Sequence, residues 1–331
     1  MDSESTIERT SAESLERLDQ LRQEMRKQID GVERQFDDPE ICIYATGSLA
    51  RHEATVHSDL DAFFMLSGSK SDSELSRIRD VKVLNAVITS AESACFPDFS
   101  NDGEYLCFMH IDDVISEIGS RNDDFYNMFT ARMLMLLESK YLYNEDTYDR
   151  FKSRVVESYF RDFHDHSKDF KPVFLLNDIL RFWRTLCLNY EHSRKRRDEG
   201  AEKAARGHLD NLKLRFSRMN ICYSFIAHLL ARPGSLTAED VIATSNVPPL
   251  QRLAELPSSF PELENEINDL MEKYSWFLEN VGREKQVVLE WISNREQRES
   301  AFKRSRLFVE GLGQVVKQVA EKNNYLRYLI V

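Results

Sequence analysis

Leu15, Leu18, Leu21, Met25, Ile29, Val32 and Phe36 recur at intervals of three and four, the spacing of one face of an α-helix. The pattern predicts a helix over 10–36. Thr10 and Glu13 have the spacing of a capping box at its start, and Asp37-Asp38-Pro39 ends it. The stripe is read as a face that packs on the following domain rather than as a dimerising coiled coil. Ile41-Cys42-Ile43-Tyr44-Ala45 is a short buried strand that runs into a turn at Gly47. A helical stretch over 48–54 leads to a second strand at 59–66. The serine-rich, charged segment 67–75 reads as a loop, and Leu75, Ile78, Val81, Leu84 and Val87 mark a helix over 73–93. Asn101-Asp102-Gly103 is a turn signal before a third strand, Glu104–His110. Beyond it Ile111–Ile118 is a short helix and Tyr126–Ser139 a long apolar one. From 147 onward the periodicity is helical, with helices expected at 147–166, 172–192, 203–232, 260–280, 283–295 and 298–321. Arg232-Pro233-Gly234 and Val247-Pro248-Pro249 punctuate them.

Strands early and helices late define an α+β class. A chain of 331 residues has room for two domains. The pattern divides it into an N-terminal amphipathic helix (1–38), a sheet-containing domain (39–148) and a helical domain (149–331). Glycine and proline number 11 and 8, a scarcity that favours helices over long loops. A net charge of −12 argues against a protein that coats nucleic acid nonspecifically. Cys42, Cys95, Cys107, Cys187 and Cys222 are odd in number and scattered. That gives no zinc signature and fits a reducing cytoplasm. No apolar run of signal-peptide or membrane-spanning type is present.

The candidate chemistry is concentrated between Thr46 and Phe64. On a strand, Asp59 and Asp61 would project side by side while Leu60 turns into the core. Two carboxylates that close repel each other unless a cation lies between them, and Mg²⁺ binds through one or two carboxylates plus substrate phosphates. Gly47 lets a ligand approach the backbone, and Ser48 adds a hydroxyl and an amide donor. Arg51 either reaches a phosphate or pairs with Glu53 or a strand carboxylate. His57 reads as exposed loop.

The ordered pattern Thr46-Gly47-Ser48-Leu49-Ala50-Arg51-His52-Glu53, followed by Ser58-Asp59-Leu60-Asp61-Ala62-Phe63-Phe64, resembles the nucleotidyltransferase superfamily typified by DNA polymerase β. Its form is similar to the bacterial branch that resembles the N-terminal domain of the PII uridylyltransferase. A second stretch, from Asp123-Asp124 through Asn127, Phe129-Thr130-Ala131-Arg132-Met133-Leu134 to Leu137-Glu138-Ser139, resembles the helix after the catalytic sheet in that branch. The resemblance implies a small mixed sheet as the nucleotidyltransferase core, followed by an all-α bundle. It implies Asp59 and Asp61 as ligands of catalytic Mg²⁺, with Mn²⁺ as the alternative ion, and a nucleoside triphosphate as substrate. It also implies a third carboxylate on the next strand. Glu104 is the first choice, with Asp102 and Asp112 as alternatives, although Leu106–Met109 in the middle of that strand contains no acid.

In relatives of this type, basic residues of the helical domain close over the triphosphate. By that resemblance Arg181, Arg184, Lys213 and Arg218 are candidate phosphate binders, a role the planar arginine fork suits. Arg181 and Arg184 share a helix face, and the alternative for all four is an exposed charged stripe. Arg194-Lys195-Arg196-Arg197 reads as a solvated loop. Arg132 and Glu138 interrupt an apolar helix and need partners there; an acid near the active site is expected to hold Arg132. The expected reaction moves an NMP to a protein or small-molecule acceptor and releases pyrophosphate, with nucleic acid the less favoured acceptor. The rivals are a toxin or defence nucleotidyltransferase acting on tRNA or a partner protein, and a non-catalytic nucleotide-binding regulator.

Overall fold

The computed structural model describes residues 3–33, 40–71, 77–99, 103, 106–165, 167–168, 170–195 and 200–329. They form two compact units, Arg9–Ser158 and Tyr159–Val331, the latter joined by Met1–Glu8.

The first unit contains α1 (Ser3–Glu33, whose start belongs to the other unit), β1 (Ile41–Thr46), α2 (Gly47–Ala50), β2 (Asp61–Leu66) and α3 (Arg77–Ser93). There follow β3 (Phe108–His110), α4 (Ile111–Ser116), α5 (Arg121–Phe125), α6 (Met128–Leu137), β4 (Lys140–Tyr143) and α7 (Glu145–Glu157). The sheet has the order β3-β2-β1-β4. β1 runs antiparallel to β2 and β4, and β2 runs parallel to β3, so the sheet is mixed.

Alternation gives the sheet two unlike faces. Ile41, Ile43 and Ala45 of β1 share a buried core with Ala62, Phe64 and Leu66 of β2. Leu18, Leu21, Met25 and Ile29 of α1 and Val83, Ala86 and Val87 of α3 complete it. On the opposite face Tyr44 stacks on Phe63, with ring centroids 5.5 Å apart, and lies 5.9 Å from Tyr148 of α7.

α1 begins seven residues before the expected capping box. Thr10 and Ser14 are buried on it, and Ser14 Oγ donates to Thr10 O at 2.8 Å; these small polar residues extend the apolar stripe by whole turns, so the helix runs through them. The helix expected at 126–139 is α6, which starts at Met128 because Asn127 before it lies in the left-handed region at φ 58°; the short α5 that ends at Phe125 is a separate element that was not expected. β4 is an element that the hydrophobic pattern does not reveal, because four residues are too few to show a period.

The second unit contains α8 (Val173–Lys195), α9 (Ala201–Lys213), a π-helical segment (Leu214–Arg218), α10 (Met219–Leu230), α11 (Ala238–Asn246) and α12 (Pro249–Glu255). α13 (Glu264–Val281), α14 (Lys285–Ser293), α15 (Arg295–Lys322) and α16 (Leu326–Leu329) complete it. The expected helix over 203–232 is the continuous run α9, π segment and α10. Within it Phe216 stacks on Phe277 at 4.6 Å and lies 4.7 Å from Phe308. The unexpected α11 follows Arg232-Pro233-Gly234, started by a capping box of Thr237 and Asp240. α12 follows with proline in its first turn. The helix expected over 147–166 ends at Glu157. It packs on β1 and stays with the first unit, which closes at Ser158 rather than near 148.

Candidate functional site

The site is built where β1 ends. Thr46 is its last residue and pairs with Asp61, the first of β2. The chain then turns at Gly47, whose φ of +69° is a left-handed value that glycine adopts without strain. The turn is one helical turn long, shorter than the stretch expected over 48–54. Arg51 N–H donates to Gly47 O at 3.1 Å and Glu53 N–H to Ser48 O at 2.8 Å. A Cβ placed on Gly47 would lie 2.5 Å from Asp61 Oδ2. The glycine therefore forms a cradle directly against the Asp61 carboxylate.

Asp59 lies two residues before the strand rather than on it. β1 has already turned away at Gly47, so nothing remains for Asp59 to pair with on that side. Leu60 is 2 % exposed in the core and anchors the segment between a half-buried Asp61 and an exposed Asp59. His57 is exposed loop, as its sequence context suggests.

Arg51 is buried, with Nε 2.7 Å from Glu53 Oε2 and a terminal nitrogen 2.5 Å from Glu138 Oε2. Of the two roles open to it, ion pairing is the one this geometry displays. Its side chain braces the turn that its own amide closes. Glu138 follows α6 directly, so the cluster ties the turn to the chain entering β4. Arg132 has its partner in Asp123, at 2.9 and 2.8 Å in a bidentate pair with both side chains fully buried. Arg132 also donates to Val114 O at 3.1 Å. The two charges that interrupt the apolar helix are thus each paired.

Glu104, the first choice for a third carboxylate, and Asp102 lie outside the described residues. Asp112 is at the wrong end of the sheet. Its N–H donates to Gly68 O at 3.1 Å, past the end of β2, and at about 3.3 Å per residue that is roughly 20 Å from Asp61. Its carboxylate meets Arg154 at 2.6 Å. Among the described residues no group of three or more His, Cys, Asp or Glu side chains is arranged to hold a metal.

The four basic candidates all fall in the helical unit. Arg181 and Arg184 are on α8, Lys213 ends α9 and Arg218 ends the π segment, and α8 packs on that segment and on α10. Arg181 is half-buried, 3.6 Å from Asp178, and Arg184 and Lys213 are exposed. Burial pushes the Tyr223 phenol on α10 up to about 12, and the nearby Arg184 charge works against that rise. Their phosphate role rests on the resemblance alone. Arg194 is exposed, and residues 196–199 lie outside the described residues.

Sequence reasoning missed the buried partners of Arg51. The signal was present as Glu53 two residues on and as Glu138, an acid at the end of an apolar helix. It also missed His52, which follows at a left-handed φ of 61°. Burial lowers its imidazole to about 4, helped by Lys140 and Arg22.

A family described as "Putative nucleotidyltransferase DUF294" matches residues 5–90. That stretch contains α1 from its third residue onward, the Gly47 turn and both aspartates, and the match supports a nucleotidyltransferase-type family. No curated protein matches the chain. No helix among the described residues is long and apolar enough to cross a membrane.

Proposed function

We propose that the Arg9–Ser158 unit carries a Mg²⁺-dependent nucleotidyltransferase that moves an NMP from a nucleoside triphosphate to a protein or small-molecule acceptor and releases pyrophosphate. One observation carries this reading: the Gly47 cradle faces Asp61 Oδ2, where a Cβ would lie 2.5 Å away. A bare backbone beside a carboxylate suits a ligand that is anionic on one side and metal-bound on the other. Two carboxylates fit Mg²⁺, which completes its shell with phosphate oxygens and water.

Asp59 and Asp61 would hold the ion. When bound, magnesium supplies positive charge against the phosphate oxygens. Gly47 admits the triphosphate to the backbone. The Ser48 hydroxyl and the turn's first amides, which have no partner within the helical turn, donate to its oxygens. Arg51, Glu53 and Glu138 keep that turn in one shape. Such preorganised donors stabilise charge where it develops in the transition state.

The rival with a specific observation behind it is a nucleotide-binding regulator without transfer activity. Neither Met109, on the strand beside β2, nor Cys107, just before that strand, is an acid. The experiment is to incubate the purified chain and a cell lysate with α-phosphate-labelled nucleoside triphosphates. The expected result is a labelled protein or metabolite with stoichiometric pyrophosphate. Triphosphate binding without label or pyrophosphate supports the regulator instead.

A further inference from the structure

The face of the sheet opposite the core leads from Asp61 to Cys107. β3 runs parallel to β2 with Phe64 opposite Phe108 and Met65 opposite Met109. Continued one residue back, this register sets Cys107 beside Phe63. Residues directly opposed on parallel strands share a face. Phe64 and Phe108 meet on the core side, their rings 4.9 Å apart. Phe63 and Cys107 therefore share the other side with Asp61, and Cys107 stands diagonally from Asp61, about 8 Å away between Cα atoms.

This face opens toward β3. Tyr44 is fully buried between Phe63 and Tyr148, Phe63 and Asp61 are half-buried, and Cys107 is exposed. Tyr44 supplies an independent observation. Its hydroxyl is buried and has no hydrogen-bond partner among the described residues. Burial is the largest cause that raises this phenol, and Cys42, Tyr148 and Cys107 add to the rise. Buried hydroxyls are nearly always hydrogen-bonded, so this one is an unmet polar group on the same face of the sheet as Asp61.

We propose that Cys107 lines the nucleotide site, so that a bound metal–triphosphate covers its thiol. The inference rests on the nucleotidyltransferase reading and adds a residue that the family pattern does not supply. Cys95 is the internal control. It is also exposed, whereas Cys42 and Cys222 are buried and Cys187 is half-buried.

The test is iodoacetamide labelling of the native full-length chain, in which each thiolate displaces iodide and forms a thioether. Labelling at each cysteine is followed by peptide mass spectrometry, with and without each of the four nucleoside triphosphates and Mg²⁺, while calorimetry reports which of them binds. With a binding triphosphate at about ten times its Kd, mass action leaves about a tenth of the sites open. Labelling of Cys107 should then slow about tenfold, while Cys95 keeps its rate. If a triphosphate binds and Cys107 is labelled as fast as before, or both cysteines slow equally, the inference is overturned and the nucleotide reading stands. If no triphosphate binds, that reading fails and the inference with it.

Discussion

Gly47→Ala should lose most of the chain's affinity for a magnesium triphosphate while costing the fold rather little. Two effects separate here. The left-handed backbone at φ +69° is strained for any residue with a Cβ, at about 1–2 kcal/mol. The added methyl also meets Asp61 Oδ2 at 2.5 Å, well inside contact. A carboxylate at the end of a short side chain can rotate away, so this overlap adds little to the stability loss. It does displace the group proposed to hold the metal and fill the space proposed for the phosphate. Affinity should fall at least about tenfold, equivalent to about 1.4 kcal/mol. Titration calorimetry beside urea unfolding reads both quantities. Wild-type affinity in this variant would mean that the turn and Asp61 share no ligand.

The second large effect concerns stability. Asp123→Ala should destabilise the first unit by about 3–5 kcal/mol, because it leaves the Arg132 guanidinium buried without its bidentate carboxylate. Val114 O retains its bond to Arg132, but a carbonyl cannot neutralise the charge. Asp123→Asn keeps an acceptor in place and should cost less than the alanine change. The urea midpoint of each variant checks the order. Losses below about 0.5 kcal/mol, the range of ordinary surface substitutions, would show that the pair is not the anchor its burial suggests.

Much of the fold was legible because its signals are periodic. The α1 stripe from Leu18 to Ile29 carries its element in the spacing of side chains, and β1 and β2 carry theirs as short apolar runs. What was not legible depends on contacts distant in sequence. β4 is four residues long and exists because β1 offers it an edge. Asp59 falls off the strand because Gly47 turns the neighbouring chain away, a fact about residues a dozen positions earlier. α11 and α12 are short and begin at caps, Thr237 with Asp240 and a proline turn, rather than at a hydrophobic period.

The site divides in the same manner. Gly47, Ser48, Asp59 and Asp61 were readable as an ordered motif, since glycine and paired acids have few other reasons to occur in that order. The partners of Arg51 were not, because Glu138 lies 87 positions away and reaches it only through the fold. In the sequence Cys107 sits in the apolar run Leu106–Met109, where a cysteine has the look of a small hydrophobe. The parallel register of β3, which places it on the carboxylate face, has no signature in local sequence.

The most direct test of the account is the double variant Asp59→Asn with Asp61→Asn, assayed for pyrophosphate release and transfer of labelled NMP against its urea midpoint. Amides keep the size of the carboxylates and remove the charge that a magnesium ion requires. The account predicts a folded protein with a near wild-type midpoint and no transfer above background. Transfer at the wild-type rate by that folded double variant would contradict it.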